Sequence, residues 1–145
     1  MEIKLTKKQY ENLLRLVYLG NWVINSIRPP DELIEKYEEL EQYIFSLAES
    51  AGLGKYVVFA KEDNRFYPTP ELEEDPELCQ YLEEYDTRTF WDELIYRLAR
   101  RDLIRHYGID EIKKMDPKER IVKESRFIEK YAQEFEKHGI EYLRL

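Results

Sequence analysis

Residues 33–52 read LIEKYEELEQYIFSLAESAG, and their spacing decides the fold. Leu33, Tyr37, Leu40, Ile44, Leu47 and Ala51 step by four, three, four, three and four, the period of a single apolar stripe on an α-helix. The opposite face is rich in glutamate, and Gly52 stands where a helix stop is expected. At 1.5 Å per residue such a helix is roughly 30 Å long, enough to cross a domain. The stripe suits an antiparallel neighbour at a shallow angle. Three heptads are too few for a free coiled coil, so the helix is expected to pack inside a globular unit.

Working outward, helices dominate on both sides. Residues 2–5, Glu-Ile-Lys-Leu, alternate like a half-buried strand, and Thr6 with Gln9 then forms a capping box in front of a first helix. Leu5 and Tyr10 occupy the positions of a hydrophobic staple. That helix begins amphipathic, with Tyr10, Leu13, Leu14 and Val17 on one side. It becomes apolar nearly all round at Tyr18, Leu19, Trp22, Val23, Ile24 and Ile27, and Pro29-Pro30 ends it. A helix of this kind is expected at the centre of the domain, or with its extra face against another chain. Tyr18, Leu19 and Trp22 are the candidate interface residues, since aromatic residues are enriched where proteins meet. The chain's twelve tyrosines fit half-buried edges of this kind.

On the C-terminal side, Tyr56-Val57-Val58-Phe59 and Arg65-Phe66-Tyr67 flank Glu62-Asp63-Asn64, which predicts a β-hairpin at about residues 55–68. A short helix is expected from about Asp75, and another from Thr87 or Thr89 to Tyr107 with Gly108 as its stop. Asp116-Pro117-Lys118-Glu119 opens a last helix, with Ile121, Ser125, Ile128, Ala132 and Phe135 facing inward and Gly139 ending it. Residues 140–145 read as a strand. Lone strands leave backbone groups unpaired, so the two chain ends are expected to pair. The expectation is a single domain over residues 1–145 of α+β class, predominantly helical: about five helices with a small sheet from the hairpin and the paired ends.

The chain has 145 residues, 43% of them hydrophobic and 37% charged, and this excludes a disordered chain. The longest apolar runs fall far short of the roughly 20 residues that span a membrane. The N-terminus lacks a signal-peptide pattern, and Cys79 alone forms no internal disulfide, so a cytoplasmic location is the expectation. A net charge of −8 disfavours nucleic acid. Acids crowd Glu71–Asp86 and arginines crowd Arg97–His106, and the two stretches are expected to neutralise each other. Plentiful Glu, Lys and Arg with few Asn, Gln, Met and Cys resemble the composition of heat-adapted proteins, which points to a thermophilic source.

Chemistry concentrates in one place. In the helix 89–107, Phe90, Trp91, Leu94, Ile95 and Leu98 share a face, and one further turn brings Arg101, Asp102, Arg105 and His106 onto it. Asp102 stands three residues before Arg105 and four before His106, so it is spaced to pair with both. Such a cluster is either an internal bridge that fixes packing or an anion-binding pocket built from Arg97, Arg101, Asp102, Arg105 and His106. Asp102 with His106, and Glu134 with His138, repeat a metal-ligand spacing, but residue 103 is Leu and residue 135 is Phe, so the paired Glu-x-x-His pattern is absent and no metal or cofactor is expected. Nucleophilic catalysis has little basis. Cys79 lies among acids that discourage its reactive anion, the serines fall within helix patterns, and Gly52-Leu53-Gly54 lacks the Lys-Ser/Thr of a phosphate loop. These features favour a small protein-interaction or regulatory module, self-associating and without catalysis. The alternative is a small-ligand protein or enzyme that uses the charged cluster.

Overall fold

The computed structural model describes residues 2–143. Backbone contacts gather into two units, Met1–Tyr81 and Leu82–Leu145. The class is α+β and predominantly helical, with one two-stranded antiparallel sheet.

In the first unit, α1 (Lys7–Asn25) opens on the expected capping box: the Thr6 hydroxyl accepts from the Gln9 backbone while the Gln9 side chain accepts from the Thr6 backbone N–H. It packs on α2 (Glu35–Ser46). The chain continues past Ser46 in turns and closes at Gly52. There Leu53 N–H reaches the Ala48 carbonyl, Gly52 N–H reaches Glu49, and Gly52 takes φ +69°. This is a Schellman closure of the turns that follow α2; the helix itself ends at Ser46, six residues before the expected stop at Gly52, and is shorter than the expected span of residues 33–52. The stripe of residues 33–52 is turned from its expected face. Glu41, Ile44, Phe45 and Ala48 are buried, while Tyr37, Leu40 and Leu47 are exposed. The cause is a polar layer against α1, which draws Glu41 inward and turns the helix by about one residue position.

The hairpin is present. β1 (Val57–Ala60) pairs with β2 (Arg65–Pro68), placing Phe59 opposite Phe66, and Asn64 takes the positive φ of the turn. The outer edge of β2 is met by a side chain: Gln42 of α2 donates to the Phe66 carbonyl and accepts from the Phe66 N–H, both at 2.8 Å. One amide thus does what a third strand would do. Tyr10, Leu14, Phe45, Ala48, Leu53, Tyr56 and Leu72 form the centre of this unit, and Leu72 belongs to a short α3 (Pro70–Glu73).

The two helices expected from Asp75 and from Thr87 or Thr89 are one, α4 (Pro76–Tyr107). No glycine or proline follows Pro76 until Gly108, so nothing interrupts the backbone ladder. Gly108, at φ +80°, ends it and leads into α5 (Ile109–Lys114). Asp116 Oδ2 caps α6 (Pro117–His138) by accepting from Lys118 and Glu119 N–H. In the second unit Ala99, Leu103, Ile112 and Phe135 are buried, and Trp91 packs against Phe135 in a tilted pair with ring centroids 5.6 Å apart. Phe135 therefore faces inward as expected and Ser125, Ile128 and Ala132 are half-buried, but Ile121 is exposed.

The paired chain ends are not found. Residues 2–5 and 140–143 form no strand, and the only ladder among the described residues joins β1 to β2. Each end is too short to hold itself extended without a partner already in place. Positions 144 and 145 of the expected C-terminal strand lie outside the described residues.

Candidate functional site

The helix-four cluster is real but differently composed. Asp102 is met on several sides. Its Oδ1 accepts from Arg101 Nε at 2.9 Å, and its Oδ2 accepts from the Tyr131 hydroxyl at 2.5 Å. Lys130 Nζ stands 3.6 Å away and Arg105 Nη1 3.8 Å away. Arg101 also donates to the Tyr131 hydroxyl at 2.9 Å, closing a ring of three side chains. The Tyr131 hydrogen bond, more than any other contact, holds the Asp102 carboxyl below its usual range, and Arg101 and Lys130 act the same way. Tyr131 shifts upward, through burial and through the same bond.

Two expected members stand apart. Arg97 pairs with Glu93 at 2.8 Å, one turn back on the same face. His106 has no contact with Asp102 and packs its ring against Tyr107 and Phe127. Tyr131 and Lys130 come from α6, and sequence spacing offered no sign of them, since they lie about thirty positions away. The arginines have partners within the second unit: Arg97 uses Glu93, Arg100 uses Glu124 at 3.9 Å, and Arg101 and Arg105 use Asp102. Among the described residues, no three His, Cys, Asp or Glu side chains gather to hold a metal ion. None of the described helices is long and apolar enough to cross a membrane.

The first unit carries a polar layer inside the α1–α2 contact. Asn21 and Asn25 both donate to Glu38 Oε1, at 2.8 and 3.3 Å, and Asn25 also donates to Asn21 Oδ1 at 2.8 Å. Arg65 of β2 holds the other Glu38 oxygen at 2.7 Å. Glu41 lies buried beside this group. Burial pushes its carboxyl up to about 7; a hydrogen bond from Asn21 opposes the shift, Glu38 adds to it, and Arg65 opposes it. The layer serves packing register: each asparagine amide is engaged, and Asn25 Oδ1 also accepts from Ile34 N–H where α2 begins.

With two asparagines turned inward, α1 turns apolar side chains outward. Leu16 is 66% exposed, Val23 48% and Ile27 83%. Leu16, Val23 and Gly20 share a face of α1 away from the side that holds Tyr10, Leu14, Asn21 and Asn25, and Ile27 stands in the turn just past the helix end. Tyr18 and Leu19 of the expected interface are half-buried against the unit's core, while Trp22 is 43% exposed. Gly20 sits mid-helix, where glycine costs about 1 kcal/mol relative to alanine. Nothing lies within 4 Å of the place its Cβ would take. The chain's own packing therefore gives no reason for glycine there.

Two grooves flank the same helices. One of about 780 Å³ is lined by Ile3, Leu5, Leu13, Tyr43, Leu47 and Ala51 among others, with Lys7 at its edge. A second of about 810 Å³ is acidic, with Asp31, Glu35, Glu38 and Glu39 around Arg65.

Comparison with protein-family models, with curated proteins and with solved structures finds no match for this chain.

Proposed function

We propose that the protein is a cytosolic interaction module without catalysis, and that the outer face of α1 is its docking surface. The observation that carries this reading is the open stripe Leu16–Gly20–Val23–Ile27. Three aliphatic side chains stand in water around a glycine that its own fold does not require. Contiguous exposed apolar surface on a small protein marks a place where another molecule sits. Trp22, next in the chain to Val23, is exposed as well.

The test is a photo-crosslinking residue at Val23, with adducts identified by mass spectrometry. The expected result is adducts that map to one defined surface and vanish when Leu16 and Ile27 are both changed to Lys. Adducts that persist in the double variant, or that scatter without a common surface, overturn the reading.

A second reading rests on one observation in the other unit. Arg101, Arg105 and Lys130 gather around a single carboxylate, which leaves an excess of positive charge with Arg105 and Lys130 largely exposed. That arrangement suits a small anion bridging Arg105 and Lys130. Inorganic phosphate should then raise the melting midpoint of the wild type and not of Arg105→Ala. An equal response in both sinks it. The first reading is preferred because Asp102 already occupies the centre of the cluster.

A further inference from the structure

We propose that the groove between the first half of α1 and the end of α2 binds an aliphatic carboxylate, with its head group on Lys7 and its tail lying toward Leu13 and Tyr43. The site is separate from the outer face of α1 and does not depend on that face being a docking surface.

The groove follows from how the two helices meet. Tyr10 reaches Ile44, and Asn21 reaches Glu38, so α1 and α2 run antiparallel and the start of one lies beside the end of the other. Tyr10 and Ile44 are buried at the base of the groove, while Leu13, Tyr43 and Leu47 line it higher up. Its volume of about 780 Å³ falls in the range of small-molecule sites. From Lys7 to Leu13 the helical wall is roughly 9 Å long at 1.5 Å per residue, room for an acyl chain of medium length.

Charge selects the head group. Lys7 is the single charged residue lining the groove, in a chain that carries 31 acids and a net charge of −8. It has no ion-pair partner among the described residues. The neighbouring Lys8 takes Glu11, the first turn of α1 holds no acid, and Glu49 folds its carboxyl over Gly54. Lys7 Nζ lies instead at Gly52, 3.1 Å from the place a Cβ would take there. An unpaired ammonium at one end of an apolar groove is the complement of a carboxylate with a hydrocarbon tail.

Hydrogen bonding selects the tail. The Thr6 hydroxyl is committed to Gln9, the Tyr10 hydroxyl to the Ile44 carbonyl and the Ser50 hydroxyl to the Leu47 carbonyl. A peptide laid in the groove would bury amides without partners, and an aliphatic chain has none to satisfy.

Titration calorimetry on the full chain tests this with octanoate, decanoate, decanol and decyltrimethylammonium, each below the concentration at which it forms micelles. One decanoate should bind per chain. Octanoate should bind roughly fifteenfold more weakly, since each buried methylene is worth about fourfold. Decyltrimethylammonium should bind more weakly than decanoate in spite of the chain's negative charge. Lys7→Gln should weaken decanoate roughly fivefold and leave decanol unchanged. Tyr43→Glu, at a largely exposed position, should melt as the wild type does and lose decanoate. Absence of saturable decanoate binding, or tighter binding of the trimethylammonium, overturns the proposal. Decanoate binding that ignores both substitutions also overturns it, because the ligand then sits elsewhere on the chain.

Discussion

Asp75 divides its two carboxylate oxygens between two tasks: Oδ2 holds Arg15 Nη2 at 2.7 Å, while Oδ1 accepts from Glu77 and Leu78 N–H at 3.0 and 3.3 Å. The first bond ties α4 to the middle of α1, and the second caps α4, with Pro76 at its first position. Tyr56 extends the network by donating to Glu11 at 2.7 Å, and Glu11 stands 3.6 Å from Arg15. Both Arg15 and Asp75 are largely buried, and Arg15 Nε is buried without a partner among the described atoms. Removing either member of such a pair takes away the other's nearest counter-charge.

Two substitutions separate the tasks. Asp75→Asn keeps an acceptor for the cap and removes the charge, and should cost about 2 kcal/mol, the penalty of leaving the largely buried Arg15 with only its longer contacts to Glu11 and Glu77. Asp75→Ala removes both and should cost about 1 kcal/mol more, the value of an N-cap. Urea unfolding of the two variants checks this. Equal losses would show that the cap contributes nothing.

Glu41 makes stability depend on pH in an unusual direction. Its folded carboxyl titrates near 7, against the ordinary 4.5 of the unfolded chain. Between those values the folded state holds the proton and the unfolded state does not. The contribution is therefore present at low pH, declines as pH rises from about 4.5 to about 7, and stays lost above that. Glu41→Gln should flatten this part of the profile and stabilise the protein at pH 8 by about 2 kcal/mol, after allowance for partial solvent screening. Melts of both proteins across the range decide it. A wild-type profile that rises through the same window contradicts the buried, raised carboxyl.

Short-range signals were legible in the sequence and long-range ones were not. Thr6 with Gln9, Asp116 with Pro117, and the stop at Gly108 all stand as read, because a cap or a left-handed turn is decided within a few residues; Gly52 takes its left-handed turn, but α2 ends earlier, at Ser46. The hairpin was legible for the same reason. The inward face of α2 was misread because Glu41 looks polar and therefore outward, and only the proximity of Asn21 and Asn25 makes burial tolerable. The exposed side of α1 was only half legible, since Val23 and Ile27 fell in a segment apolar nearly all round, which left open a central helix or a face against another chain. Asp102 was found by pattern and two of its partners were not, because Tyr131 and Lys130 reach it from another helix. Pairing of the chain ends rested on alternation alone, over too few residues to compete with solvent.

Gln42 makes the hairpin's seat testable. Its amide meets both backbone groups of Phe66, so Gln42→Ala leaves a part-buried N–H and a carbonyl without partners. The expected loss is about 2 kcal/mol. Amide exchange at Phe66 should speed up in the variant while exchange within α1 changes only by the global loss. Unchanged protection at Phe66 would mean that the β1–β2 ladder holds the strand without help from α2.

The Asp102 ring gives the last prediction, and it bears on whether the cluster is a bridge or a site. Tyr131 contributes the largest share of what holds the Asp102 carboxyl low, and it also accepts from Arg101. A lowered carboxyl stabilises the fold above its unfolded value near 3.8, and that stability is lost as pH falls through the still lower folded value. Tyr131→Phe should cost about 1 kcal/mol at pH 7, the worth of a partly solvated charge-assisted hydrogen bond, and should cost less once pH falls below the unfolded value of 3.8, where the unfolded chain has taken up the proton. Asp102→Asn should make the further loss from Tyr131→Phe small, because both act through one bond. The double-mutant cycle at pH 7 and below pH 3.8 reads this directly. Additive losses that do not change with pH would show that Tyr131 and Asp102 contribute independently, and would leave the carboxylate free to serve a ligand in place of the fold.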